Sequence, residues 1–206
     1  MNQPAMPPIS ADLLAGLVGS RLCHDLVSPL GAIGNGVELL EMTGIPGLAN
    51  SPEMALIAES VAAARSRLQL FRVAFGAGSE TRLPPAEIAA LVRAVQDQSR
   101  LSIELAEPGD LPRSEVRLLL LALMCLQDTL PYGGRVLAAR RETRWSLVAE
   151  AERMKPDSSL WGWLTGTLPP ALRPGEVQFA LLATALTDAG RQATVEIDAT
   201  GAELLI

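Results

Sequence analysis

The sequence predicts an α+β protein, an N-terminal helical hairpin followed by an α/β sandwich. Three observations carry this. Leu and Ala dominate and aromatic residues are only 3%, which favours helix over a strand-rich sandwich. Two long helix-patterned stretches occupy the first third of the chain, separated by one Gly- and Pro-rich loop. Beyond "GAGSETRLPP" (Gly76 to Pro85) helical runs alternate with short strand-like runs. The chain has 206 residues, 49% of them apolar, so it can build a core without disulfide or metal staples.

Ser10 and Asp12 are helix-start residues ahead of the first apolar run, and the first helix is read from Ala11 to Thr43. "TGIPGLANSP" is a loop. Ser51 is the expected N-cap of the second helix, with Pro52 at its first position and Glu53 in its first turn. That helix runs to Phe75 and stops at Gly76. Residues 1–78 are read as one unit and 79–206 as a second. The second unit opens with a helix, Pro85 to Ser99, then the alternating strand "LSIEL". An apolar helix, Arg113 to Leu130, ends at "PYGG". Two strands, "RVLAAR" and "RWSLVAEA", come next. Residues 153–174 show no clear periodicity beyond a short helix at "SSLWGWL". The last helix, Gly175 to Ala189, precedes a terminal hairpin of "QATVEI" and "AELLI".

Charge and cysteine usage exclude several function classes. With 17 basic and 23 acidic residues the formal charge is -6, without the basic footprint that nucleic acid or an anionic membrane requires. The two cysteines, Cys23 and Cys125, form no paired pattern, which favours a reduced, cytoplasmic chain over a lone disulfide. One histidine and no close cysteine pair leave a zinc site almost no ligands. "MNQPAMPPIS" lacks the regions of a signal peptide, and the longest apolar run, "LLLLALMCL", is too short to span a bilayer.

The single histidine, His24, lies in "RLCHDLVSPLGAIGNGVELL". On a helical wheel Leu22, Leu26, Leu30, Ile33, Val37 and Leu40 fall in one arc of about 80°, the stripe of a helix in a bundle. His24 lies opposite it, on a face with Ser20, Arg21, Ser28, Gly31, Asn35 and Glu38. The pattern therefore puts His24 on the solvent side rather than in the core, although a surface histidine without a role also fits the wheel. Pro29 costs about 3 kcal/mol in a helix interior and each of Gly31, Gly34 and Gly36 about 1 kcal/mol. Only tertiary packing of the stripe overrides that cost; otherwise this stretch is a broken helix. Pro29 has no N–H, so the carbonyl of Asp25 loses its usual partner and a kink is expected there. Gly31 leaves room for another backbone to approach. The second helix adds Ile57, Val61, Leu68, Phe71 and Phe75 to the same core. Two helices cannot bury this surface alone. A symmetric dimer that pairs two hairpins into a four-helix bundle is expected, with cover by the α/β unit as the alternative.

An exposed imidazole beside a carboxylate can act as base, ligand or nucleophile. Asp25 can accept a hydrogen bond from one ring nitrogen and leave the other with its lone pair free. A serine hydrolase built on Ser28 is disfavoured because no G-x-S-x-G elbow exists. Cys23 as a thiol nucleophile is equally disfavoured, because it sits on a different face of the helix from His24.

"SRLCHDLVSPLGAIGNGVELL" resembles the phosphoacceptor helix of two-component histidine kinases, with His24, Asp25, Ser28, Pro29 and Leu30 at the motif positions. It is closer still to the ChpT-type bacterial histidine phosphotransferases. The resemblance continues more faintly through "LALMCLQDTLPYGGRVLA" and "VQFALLATALTDAGRQATVEI", which look like parts of the kinase ATP domain. It thus implies a degenerate Bergerat-type sandwich for the second unit. The kinase asparagines would fall at Cys125 and Leu121, poor ligands for a hard cation. "ERMKPDSSLW" stands where the Gly-rich adenine motif belongs. The ATP site is therefore expected to be lost and no cofactor or metal is expected in this chain. The resemblance implies a phosphorelay carrier: His24 accepts a phosphoryl group from the receiver-domain aspartate of a hybrid histidine kinase and passes it to a response regulator, assisted by Asp25. Magnesium is expected on the receiver domain. Ser20, Arg21, Ser28, Gly31 and Asn35 would form the docking face; Arg21 either stabilises phosphoryl charge or is a solvated surface residue. A divergent kinase that still binds ATP and a non-catalytic dimeric adaptor are the other readings.

Overall fold

The computed structural model describes residues 9–43, 51–106, 109–155, 158–166 and 171–206. Helix α1 (Ala11–Thr43) runs unbroken through Pro29, so packing does override the propensity cost and the broken-helix reading is excluded. The loop expected from "TGIPGLANSP" falls mostly on residues 44–50, which lie outside the described residues, as do residues 1–8. Helix α2 (Pro52–Ala74) starts as the sequence dictates: Ser51 Oγ accepts from the Met54 N–H at 3.2 Å and Pro52 takes the first position. Gly36 of α1 faces Ile57 of α2, and the Asp25 carbonyl faces Arg67. The index rises on one helix as it falls on the other, so the pair is antiparallel.

The C-terminal end of α2 docks into the rest of the chain. Leu70, Phe71, Val73 and Ala74 are buried in the same cluster as the α/β core. Its last carbonyls are met by arginines of α4 (Arg113–Thr129): Arg113 donates to Arg72 O, and Arg117 Nε to Ala74 O at 3.2 Å. Cations at a helix C-terminus satisfy orphan carbonyls and oppose the dipole. Two short strands that the sequence pattern did not reveal, β1 (Arg82–Leu83) and β3 (Leu111–Pro112), pair antiparallel beside this junction.

Helix α3 (Pro85–Gln96) leads to β2 (Leu101–Leu105). It ends three residues before the expected Ser99, in a turn where Ser99 Oγ bonds to Gln96 O. Strands β4 (Gly134–Arg141), β5 (Arg144–Glu150), β6 (Thr194–Ile197) and β7 (Gly201–Leu205) complete one mixed sheet of order β2-β4-β5-β7-β6. β2 and β4 are parallel, joined through α4; the other neighbours are antiparallel. Alternation sends Val136, Ala138, Trp145, Leu147, Ala149, Ala202 and Leu204 inward. There they meet α4 and α6 (Val177–Asp188), which lie side by side. α4 is buried from Leu118 to Leu126 without a polar face, the pattern of a central helix. The unreadable segment resolves in part into α5 (Ser158–Thr165) and a 3-10 turn, Pro174–Glu176. In α5 Trp161 packs edge-on against Phe179 at 5.3 Å and donates to Thr129 Oγ1 at 3.1 Å.

Only the first part of α1 rests on this body. Leu17 is buried and Leu14, Val18 and Leu22 pack beside it, against the 3-10 turn and α6. Further along, the stripe expected to be buried is covered on one side only, by α2. Leu30 is 60% exposed and Val37 42%. The α/β unit stops at Leu22 because α1 runs past its edge, so it does not provide the cover that the stripe needs.

Candidate functional site

His24 sits where α1 leaves the α/β body, and its side chain is 86% exposed. Its Nδ1 lies 2.9 Å from Asp25 Oδ1. The other carboxylate oxygen, Oδ2, accepts from Arg21 Nε at 2.6 Å. Arg21 is itself anchored, since its Nη1 donates to the carbonyl of Gly175 in the 3-10 turn at 2.6 Å. Asp25 is thus an acceptor bridge between an arginine fixed to the α/β body and the imidazole. With Asp25 ionised, the ring nitrogen facing it carries the proton, and Nε2 keeps its lone pair toward solvent.

The backbone of Asp25 is tied as well. Pro29 offers no N–H to the Asp25 carbonyl, and Arg67 of α2 fills the gap, Nη1 to O at 2.6 Å. The site then continues onto the α/β unit. An open cleft of about 260 Å³ is lined by Arg21, His24, Asp25, Ser28, Arg67, Gln98 and Gln127. Gln127 donates to the Gln98 carbonyl at 3.2 Å, joining the end of α4 to the turn after α3. Of the residues read from sequence, Ser20, Ser28, Gly31 and Asn35 are exposed on the same helix as His24. Ser28 alone of these four lines the cleft. Arg21 is mostly buried and held in place rather than a solvated surface residue. Arg67, Gln98 and Gln127 were missed. The orphaned Asp25 carbonyl was a visible signal that some donor must come from elsewhere, but which arginine of the second helix reaches it depends on how the two helices are offset.

A second cleft of about 450 Å³ lies on the other side of Arg21, lined also by Asp128, Lys155, Leu160, Arg173, Gly175 and Glu176. Asp128 Oδ2 accepts from the buried amide of Gln178. Desolvation pushes its carboxyl up to about 6, with Arg21 acting in the opposite direction. Neither position that would carry a kinase asparagine opens to this cleft. Cys125 and Leu121 are both fully buried, and burial pushes the Cys125 thiol up. Cys23 and Cys125 are both free. Among the described residues no cluster of three or more His, Cys, Asp or Glu could hold a metal ion, and no helix is long and apolar enough to cross a membrane.

Comparison with known proteins gives three findings. Residues 85–201 match the family model described as the histidine phosphotransferase C-terminal domain. The protein phosphotransferase ChpT of Brucella abortus (strain 2308) is 40% identical over 138 residues; the match spans 65% of this chain and 63% of that protein's length. A bacterial phosphotransferase solved at 1.7 Å superimposes with a TM-score of 0.76 and 27% identity, covering 97% of this chain and 98% of the other. That likeness extends over hairpin and sandwich together.

Proposed function

Because this chain belongs to the histidine phosphotransferase family, we propose that it is a phosphorelay carrier whose acceptor is His24. The observation that carries the reading is the one-sided imidazole: Nδ1 is held by a carboxylate while the ring is 86% exposed. That is the state an aspartyl phosphate needs to meet. The Nε2 lone pair attacks phosphorus, and the bond from phosphorus to the carboxylate oxygen of the donor aspartate breaks. The donor carboxylate leaves with the bonding electrons. The ring becomes cationic, keeps its Nδ1 proton, and Asp25 stabilises that charge. Return transfer to a second receiver aspartate is the same step reversed. Beyond the P–N bond that His24 itself forms, catalysis of this kind is positioning and electrostatics.

The partners follow from the same reading: the receiver domain of a hybrid histidine kinase as donor and a response regulator as acceptor. Ser20, Ser28, Gly31 and Asn35 are the docking face on α1, with Arg21 beneath it. Magnesium belongs to the receiver in this reading. The buried positions of Cys125 and Leu121 speak against ATP as the phosphoryl source. The exposed apolar residues of both hairpin helices, including Leu30, Val37 and Leu68, support a homodimer with a four-helix bundle. Residues 1–78 then serve dimerisation and phosphotransfer, and 79–206 form the degenerate kinase-like unit. The site of action is the cytoplasm.

The test is a reconstituted relay. A receiver domain labelled on its aspartate is mixed with wild type and with His24→Ala. Label should move to wild type alone. Equal labelling of the variant would sink the assignment, and no labelling of either would leave the dimeric adaptor as the better reading.

A further inference from the structure

We propose that Arg67 is a positioning residue for this transfer: it replaces the backbone donor that Pro29 removes, and so holds Asp25, and through it His24, in the reactive arrangement. The inference rests on the phosphocarrier reading above. In an uninterrupted helix the carbonyl of residue 25 accepts from the N–H of residue 29. Proline has none, and its ring crowds that carbonyl. Here Arg67 reaches across from α2 and donates to the freed oxygen at 2.6 Å.

Asp25 is consequently gripped at both ends. Arg21, itself bound to Gly175, fixes the carboxylate at 2.6 Å, and Arg67 fixes the main chain. Between these two points the free carboxylate oxygen is presented to Nδ1 of His24 at 2.9 Å. Loss of the main-chain grip lets the residue 25 peptide turn toward water, and the carboxylate turns with it. Arg67 and Pro29 are therefore two halves of one device. Proline opens the helix ladder beside the acceptor, and the arginine closes it from the neighbouring helix, making the His24 geometry depend on how α1 and α2 are offset.

This predicts a specific non-additivity. Pro29→Ala restores the helical N–H to the Asp25 carbonyl and makes Arg67 redundant there. The comparison is between Arg67→Met in the native background and in the Pro29→Ala background. His24 is the only histidine, so 15N labelling of histidine reads its tautomer without interference and without a partner protein. In the native background Arg67→Met should move the ring from the Nδ1–H form toward a tautomer mixture and slow phosphoryl acceptance by about tenfold, as loss of precise placement does. In the Pro29→Ala background the same substitution should change the rate by less than about twofold, so the two positions are coupled rather than additive. An unchanged tautomer in Arg67→Met overturns the proposal. So does an equal loss in both backgrounds, which would mean that Arg67 acts directly on the phosphoryl group or merely supports packing. Failure of wild type to accept phosphate at all would overturn the carrier reading instead, while the tautomer comparison would still decide the role of Arg67.

Discussion

Asp25 serves two donors with its two carboxylate oxygens, His24 at 2.9 Å and Arg21 at 2.6 Å. An asparagine can accept at one oxygen only and turns an N–H₂ group toward the other donor. Asp25→Asn should therefore release the imidazole tautomer and lower the phosphoryl-acceptance rate by about two orders of magnitude, measured with a labelled receiver domain. Asp128 allows a prediction against pH. Its carboxyl titrates near 6 in the folded chain against an ordinary 3.8. Between those values the folded chain keeps a proton that the unfolded chain has lost. Stability from this group is thus complete below about pH 4 and falls as pH rises through 6. Asp128→Asn should raise the melting temperature at pH 7.5 and leave it unchanged near pH 4. The residue is open to solvent on one side, so screening keeps the gain to about 1 kcal/mol or less.

At the scale of elements, the hairpin is held by local chemistry at its ends and by close approach at its middle. Removing the Ser51 side chain leaves the Met54 N–H without its cap. Ser51→Ala should cost about 1 kcal/mol in denaturant unfolding, and Ser51→Gly only a few tenths. Gly36 shows why a glycine is retained despite its helical cost. A Cβ there would stand 2.5 Å from Ile57 Cγ1, so the Ile57 side chain or the helix that carries it would have to shift. Gly36→Ala should destabilise by about 1–3 kcal/mol even though alanine favours helix. Nothing lies within 4 Å of a Cβ at Gly31; Gly31→Ala should leave stability unchanged or slightly higher. Its effect would instead fall on receiver affinity, if this face docks as proposed.

For the whole molecule, the decisive feature is the apolar surface that one chain leaves open on its hairpin. Leu30 at 60%, Val37 at 42% and Leu68 at 50% exposure are only partly covered by the described residues. Sedimentation equilibrium should give twice the chain mass of 21.8 kDa, and Leu30→Glu with Val37→Glu should halve the observed mass without unfolding the sandwich. A monomer at micromolar concentration would remove the bundle from the proposal. The α/β body has its own clamp. Glu115, almost fully buried at the start of α4, binds Arg191 beyond α6 at 2.6 Å and Arg140 of β4 at 3.5 Å, while its carbonyl accepts from Trp145. Glu115→Ala strands two cations and should cost about 3 kcal/mol or more in unfolding free energy.

Whatever is encoded in near neighbours was legible in the sequence. The bounds of the first helix, the Ser51 cap, the alternation of "RWSLVAEA" and the exposed face of His24 all follow from periods of 3.6 or 2 and from capping groups a few residues apart. Even the orphaned Asp25 carbonyl could be deduced from Pro29. What tertiary structure alone decided is which distant groups answer those local demands. Arg67 meets the carbonyl from 42 residues away and Gly175 anchors Arg21 from 154. Gln98 and Gln127 complete the cleft from the other unit. The two-residue strands β1 and β3 are too short to carry a period. Such contacts depend on helix offset and sheet register, which a one-dimensional pattern does not contain because each satisfies many arrangements of the same local preferences. The sequence thus determined that His24 would be presented, and the packing of α2 and the 3-10 turn against α1 determined how its carboxylate partner is held.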